Sequence, residues 1–321
     1  MRFVVYGAGA IGGVIGGRLF EAGHDVTLVA RGDHLAALQA RGLELVSPEG
    51  RTTLPVPAVG HPSELTLDDG DVVILAMKTQ DTAAALTALT PHAPPGIAVA
   101  CAQNGVENER LALRSFAHVY AVHVVCPATH LEPGTVVVHS APVGGMFDLG
   151  RYPTGIDATA ESLAAALREA TFESEARPDI MRWKYRKLIM NLVNVATAVC
   201  AEGAGFADLV RLLRAEGEAA LAAAGIDLVT VADDKARRGD RLQLRPIEGV
   251  THNGGSTWQS LARGTGSIET DYLTGEVVLL GRLHGVPTPA SVLLQRLAHR
   301  AAAEHLPPGH LPAEEVLAQL A

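Results

Sequence analysis

Residues 2–31, RFVVYGAGAIGGVIGGRLFEAGHDVTLVAR, decide the fold. A short β-rich run, RFVVY, leads into the glycine turn GAGAIG, an amphipathic stretch and a second β-type run, DVTLVAR at 25–31. Strand, glycine turn, helix and strand in that order make a βαβ opening. Gly7 permits the tight turn, Gly9 lets the backbone approach a pyrophosphate, and Gly12 lets the helix pack close to the strand. Together with Ala8, Ala10 and Ile11 they form the expected cofactor loop, because N–H groups and the positive dipole end of the helix favour phosphate there. A lone G-x-G-x-x-G is weak, but one between strand and helix at the head of a chain points to a dinucleotide.

At the end of the second run an NAD enzyme offers Asp or Glu to the ribose 2′-hydroxyl. Here Ala30, Arg31 and Gly32 stand in that place, with Asp33 close by. Arg31 suits a 2′-phosphate, so NADP(H) is favoured over NAD(H).

Further β-type runs follow at 71–77 (DVVILAM), 96–102 (GIAVACA), 118–125 (HVYAVHVV) and 135–141 (TVVVHSA). The first of these are apolar throughout, as parallel strands covered on both faces should be. Two end in polar groups, Lys78-Thr79-Gln80 and Gln103-Asn104-Gly105. Ligands of a doubly wound sheet bind outside the carboxyl ends of its strands, which places Lys78 and Asn104 to meet the nicotinamide half or the substrate. His118, His123, His130 and His139 match neither a helix face nor a compact loop, and read as strand and loop residues rather than metal ligands.

A length of 321 residues exceeds what one ordinary core serves, so two domains are expected. With 48% hydrophobic and 19% charged residues the composition is globular. The net charge of −9, with no basic stripe, argues against nucleic acid and against an anionic membrane surface. Cys101, Cys126 and Cys200 make neither a disulfide framework nor a zinc pair. No apolar run reaches about 18 residues and the chain opens without a charged-then-apolar leader, so a cytoplasmic location is expected.

After ATFESEARPD the character turns helical, and the first helical stretch contains RWKYRKLIMNLVN at 182–194. At about 100° per residue Lys187, Asn191 and Asn194 fall within about 60° of one another, with Lys184 beside them. Leu188, Ile189, Leu192, Val193, Val195 and Val199 fill the other side. A solvent face would favour better helix formers than Asn. Of 26 basic residues only Lys78, Lys184, Lys187 and Lys235 are lysine. A retained lysine is suited to proton transfer, which guanidinium cannot perform, and Lys187 is the candidate because it precedes Asn191 by one turn. A second helix is expected over roughly 205–224, stopping at Gly225. Ser256 with Gln259 fits an S-x-x-Q capping box, and Glu269 opens a helix of the form E-T-D-Y-L-T-G-E. Acids in a first turn are ordinary dipole complements, so Glu269 by itself says little.

The glycine motif, the K-T-Q and Q-N-G strand ends, the Lys/Asn helix and I-E-T-D-Y-L-T-G followed by G-V-P-T-P together resemble the ketopantoate reductase (2-dehydropantoate 2-reductase) family over nearly the whole chain. The resemblance implies an α/β protein: an N-terminal Rossmann-type doubly wound parallel sheet binding NADP(H), then an all-α C-terminal domain, with the active site in the cleft between them. We place the domains at 1–177 and 178–321, the second for substrate and dimerisation, with a homodimer left open. It further implies Lys187 as proton donor, Glu269 near the lysine and nicotinamide, and Asn191, Asn194 and Ser256 on the substrate. Asn104 and Lys78 take the cofactor side, with Asn104 also at the substrate. Two departures lie near substrate: the second Asn follows the first by three residues instead of four, and VVCPATHLEPG replaces a threonine-rich, glycine-containing strand end. The implied reaction is NADPH-dependent reduction of a 2-oxo acid, ketopantoate first among them.

Rivals are a paralogue acting on another 2-oxo acid or an imine, and an NADPH-sensing protein without turnover. The sensor would need neither Lys187 nor Glu269. The β-hydroxyacid and glycerol-3-phosphate dehydrogenases share the layout but not the I-E-T-D-Y-L-T-G stretch.

Overall fold

The computed structural model describes residues 1–130, 132–250, 254–264 and 266–320. The chain divides into two compact units, Met1–Lys184 with Ala232–His252, and Tyr185–Val231 with Asn253–Ala321. The division thus falls after Lys184 rather than after 177, and a later segment returns to the first unit.

The first unit begins with β1 (Arg2–Tyr6), α1 (Ala10–Glu21), β2 (Asp25–Val29), α2 (Gly32–Arg41), β3 (Leu43–Ser47), β4 (Gly50–Leu54) and β5 (Ala58–Val59). It continues with β6 (Val72–Leu75), α3 (Thr79–Leu89), β7 (Ala98–Cys101), α4 (Asn108–Leu113) and β8 (His118–Val125). The last strands are β9 (Ala128–Thr129), β10 (Thr135–Val138) and β11 (Met146–Arg151), followed by α5 (Ala158–Glu169). The main sheet runs β11-β8-β7-β6-β1-β2-β5. Its neighbours pair in parallel except β11, which closes one edge antiparallel to β8. Every residue of β6 and β7 is buried, as strands covered on both faces require.

The run at 135–141 does not join that sheet. Its strand β10 pairs in parallel with β3 inside a second sheet of order β4-β3-β10-β9. Helix α1 packs against both sheets, and small residues let it approach each. A Cβ at Gly16 would lie 2.5 Å from Leu28 of the main sheet, and one at Gly13 would lie 2.6 Å from Val136 of the second. The edge strand β11 escaped the sequence pattern because MFDLGR carries Asp148, a buried charge where alternation predicts none.

Asp148 also explains the returning segment. Helix α8 (Val231–Arg238) brings Arg237 to Asp148, with Nε to Oδ2 at 2.8 Å and Nη2 to Oδ1 at 2.7 Å. Beyond it the backbone N–H groups of Ala141 and Arg245 donate to Gln243 and His139. Residues 232–250 are therefore strapped to the first unit by charge and backbone bonds.

Helix α6 (Ile180–Val199) begins in the first unit and continues into the second. The second unit then holds β12 (Cys200–Ala201), α7 (Phe206–Ala223), α9 (Ser256–Ala262), α10 (Thr274–His284), α11 (Pro289–Ala303), β13 (Leu311–Pro312) and α12 (Ala313–Ala318). Apart from the two-residue parallel pair β12–β13 it is helical. Its core joins Ile189, Leu192 and Val199 of α6 to Leu213 and Leu221 of α7, Val277 of α10 and Leu294 of α11. Gly225 ends α7 at φ +68°, with Ile226 N–H bonded to Leu221 and Gly225 N–H to Ala222, a Schellman stop. Among the described residues no helix is long and apolar enough to cross a membrane.

Candidate active site

The first unit presents the glycine loop and two polar strand ends. Gly7 sits at φ +98°, and a Cβ there would lie 2.6 Å from the Met77 backbone N. A Cβ at Gly12 would collide with the Gly7 carbonyl at 2.1 Å. Gly9, at the N-terminal boundary of α1, differs from both: among the described residues nothing lies within 4 Å of its Cβ position. None of the described neighbours demands glycine there, and open space over a helix N-terminus is what the pyrophosphate of a dinucleotide would need. Ala8 precedes Gly9, and Ala10 and Ile11 are the first two residues of α1, so all three line the same turn of chain.

His34 steadies this turn and was not singled out by any sequence signal. Its Nδ1 accepts from the Gly134 backbone N–H at 2.8 Å, which leaves Nε2 to donate to the Ala8 carbonyl at 2.7 Å. Burial pushes its pKa down, in keeping with that neutral tautomer. Arg31 is separated from the end of β2 by Ala30 and lies immediately before α2; its side chain is 84% exposed, with the guanidinium 3.3 Å from the Asp81 carboxylate.

Lys78 is the residue before α3, with extended backbone, and Asn104 lies just beyond the end of β7 in a turn completed by Gly105 at φ +78°. A buried network joins these two loops. The Gln103 side-chain amide donates to the Met77 carbonyl and to Thr82 Oγ1, each at 2.8 Å. Asn108 donates to Thr79 Oγ1 and to the Asn104 carbonyl at 3.1 Å, and accepts from Thr82 Oγ1 at 2.8 Å. Into the same network reaches Lys184, only 3% exposed, bonded to the Gln103 carbonyl at 2.9 Å and to Glu109 at 2.5 Å. Glu109 stands in the first turn of α4, and only the fold reveals its partner.

In the second unit α6 runs unbroken through Lys187, Asn191 and Asn194, so these three share one face of a real helix. Lys187 and Asn194 are half-buried and Asn191 is buried. Asn194 also meets the start of α9: a Cβ at Gly255 would lie 2.6 Å from Asn194 Oδ1. Ser256 is the residue that follows Gly255.

The capping-box expectation for Ser256 fails. Gly255 occupies the cap position, Ser256 is the first helical residue, and no side-chain cap bond forms. The buried Ser256 Oγ has no hydrogen-bond partner among the described residues. The expectation for Glu269 is also revised. It precedes a short 3₁₀ turn, Thr270–Tyr272, which Leu273 separates from α10, so it does not open that helix. It is only 5% exposed, far from the solvated first-turn acid that sequence suggests.

His118 and His123 lie on β8, while His130 follows β9 and His139 follows β10. His139 bonds Thr129 Oγ1 at 3.0 Å and His130 packs its ring 4.3 Å from that of His34.

Comparison with known proteins gives this geometry its setting. Residues 3–153 match the model of the ketopantoate reductase PanE/ApbA family, and residues 179–302 match its C-terminal model. The chain is 31% identical over 330 residues to a 2-dehydropantoate 2-reductase of Halobacterium salinarum, covering 94% of this chain and 99% of the relative. It is 28% identical to the Pyrococcus horikoshii protein of that name, covering 92% and 96%. A PanE/ApbA family ketopantoate reductase structure from Ralstonia eutropha superposes with TM-score 0.81 at 29% identity, covering 95% of this chain and 99% of that one. At 22% identity a D-mandelate dehydrogenase crystallised with NADH and anilino(oxo)acetate shares the fold with TM-score 0.80. With both family models matched in order along the chain, the protein belongs to the ketopantoate reductase PanE/ApbA family of oxidoreductases.

Proposed function

We propose that the chain uses NADPH to reduce a 2-oxo acid to a 2-hydroxy acid, with 2-dehydropantoate (ketopantoate) going to pantoate as its foremost reaction. The observation that carries this is the single face of α6 with Lys187, Asn191 and Asn194, in a chain of this family. Bound NADPH supplies the hydride to the 2-oxo carbon. As negative charge develops on the carbonyl oxygen, the Lys187 ammonium stabilises it and donates the proton. An ammonium can give that proton up, which a guanidinium does not.

Glu269, a buried carboxylate, is assigned to keep Lys187 charged and oriented, since a carboxylate near an ammonium favours its charged form. Asn191 and Asn194 offer neutral donors to the substrate without competing for the proton. Ser256, whose Oγ is buried and unpartnered among the described residues, is assigned to the far end of the substrate. Gly7 to Gly12 hold the pyrophosphate, Arg31 the 2′-phosphate, and Lys78 and Asn104 the nicotinamide side. The exposed Arg31 guanidinium and the lack of an acid at the end of β2 support NADPH over NADH.

A second reading is a related reduction of another branched 2-oxo acid or an imine. The three-residue step from Asn191 to Asn194 favours it, since Asn194 then rests against Gly255. Steady-state oxidation of NADPH and NADH with ketopantoate and a panel of branched 2-oxo acids separates the two. Lys187→Ala should lower turnover by about 10² or more while NADPH affinity stays close to normal. Turnover that survives this change would remove Lys187 from the mechanism, and NADPH binding without oxidation of any substrate would favour a sensor.

A further inference from the structure

Lys184 is the unexplained lysine of α6. It points the charge of one of four lysines, in a chain of 26 basic residues, into a site where it is 3% exposed and its partner Glu109 is fully buried. Buried ion pairs contribute little to net stability, because desolvating both charges offsets their attraction. Such a pair calls for another role.

Its bonds indicate one. The same ammonium that meets Glu109 at 2.5 Å also donates to the carbonyl of Gln103 at 2.9 Å, the residue before Asn104. Gln103 in turn holds Met77 and Thr82, while Asn108 holds Thr79 and the Asn104 carbonyl. One charged group therefore fixes the loop after β7 directly, and the loop after β6, with Lys78, through two amide side chains. A compact ammonium suits a socket with two acceptors from different elements, where a planar guanidinium would need a wider one. Glu109 supplies the countercharge but leaves its Oε2 without a hydrogen-bond partner among the described residues. The pair is thus not built to satisfy Glu109; it is built around the ammonium and the loop.

We propose that Lys184 and Glu109 are positioning residues, a buried clamp that holds the Gln103–Asn104 turn and the adjoining Lys78 loop in register for hydride transfer. The clamp deepens the reductase reading above and rests on it for its catalytic consequence, though not for its effect on the loop.

The test uses the full chain with both charges replaced together, Lys184→Met with Glu109→Leu, because removing one alone strands the other. Three measurements follow: thermal midpoint, amide hydrogen exchange of peptides covering 102–108, and turnover per NADPH site counted by fluorescence titration. The expected result is a near-normal midpoint, faster exchange at 102–108 with β1 and β2 unchanged, NADPH affinity within about threefold and turnover lowered about tenfold or more. A merely structural pair would instead lower the midpoint and the number of binding sites while leaving turnover per site intact, and that result overturns the clamp. Unchanged exchange at 102–108 overturns it as well. If the double variant does not fold, Glu109→Gln carries the same measurements with a smaller expected loss. If the wild-type chain oxidises NADPH with no 2-oxo acid, the reductase reading fails, and the exchange measurement still decides the clamp.

Discussion

The first unit buries two clusters of charge, and they are built to opposite plans. Asp148 on β11 is 1% exposed and fully satisfied: Glu175 N–H, Arg177 Nε and two nitrogens of Arg237 all donate to it, between 2.7 and 2.9 Å. Burial pushes its pKa up, but the Arg237 and Arg177 guanidiniums outweigh burial and hold it below the usual carboxylate range. Glu109 on α4 accepts from Lys184 through Oε1, while its Oε2 has no hydrogen-bond partner among the described residues. Burial pushes its pKa up and Lys184 only partly opposes that. The first cluster is an anchor, strapping residues 232–250 to the sheet. The second gives up satisfaction in order to hold a loop. A buried charge with every hydrogen bond made serves the fold, and one with bonds left over points to a position being held.

Variants can break this comparison, and the largest effect belongs to the anchor. Asp148→Ala removes the buried carboxylate shared by Arg177 and Arg237, leaving them only the more exposed Glu175 and Glu173, and should cost about 4 kcal/mol, within the range for a broken buried pair. Denaturant unfolding reads this directly, and a loss under about 1 kcal/mol would show that the strap is held by its backbone bonds alone. Lys184→Met by itself should cost about 3 kcal/mol, while adding Glu109→Leu should recover most of it. If the second change makes the loss worse, the two residues do not form a coupled pair.

The smallest effect is one of sign. Asp148, with its depressed native pKa, contributes stability that is present above about pH 3.9 and is lost as pH falls through the native value. Glu109, with a raised native pKa, contributes in the other direction: its share is full below about pH 4.3 and is lost as pH rises through the native value. The stability advantage of wild type over Asp148→Asn should therefore shrink on going to acid, and that over Glu109→Gln should shrink on leaving it. Unfolding curves across this range check both, and slopes of equal sign would mean that the two clusters are electrostatically alike.

Much of this was legible in the chain before any fold was known. Local periodicity gives β1, α1 and β2, because a glycine turn between an apolar run and an amphipathic run admits few other shapes. The same periodicity places Lys187, Asn191 and Asn194 on one face, since helix geometry fixes the angle between residues three and seven apart. Less legible was anything set by distant partners. Sequence put Lys184 beside Lys187 on the polar side of the helix, and chose between them only by the step to Asn191. The structure separates them by burial, through a partner 75 residues away in sequence. Ser256 looked like a capping serine because S-x-x-Q is a local pattern, yet Gly255 takes the cap.

By itself, then, the amino-acid order determined the dinucleotide loop, the apolar strands of the main sheet and the polar face of α6, all properties that repeat within a few residues. Only the tertiary structure decided that β10 leaves the main sheet for β3, that residues 232–250 return to the first unit through Asp148, and that one lysine of α6 is sealed against Glu109. Those outcomes depend on which charges and strand edges meet across long stretches of chain. Desolvation makes each such meeting costly unless the partner is there, and a pattern confined to neighbouring residues does not encode where the partner stands.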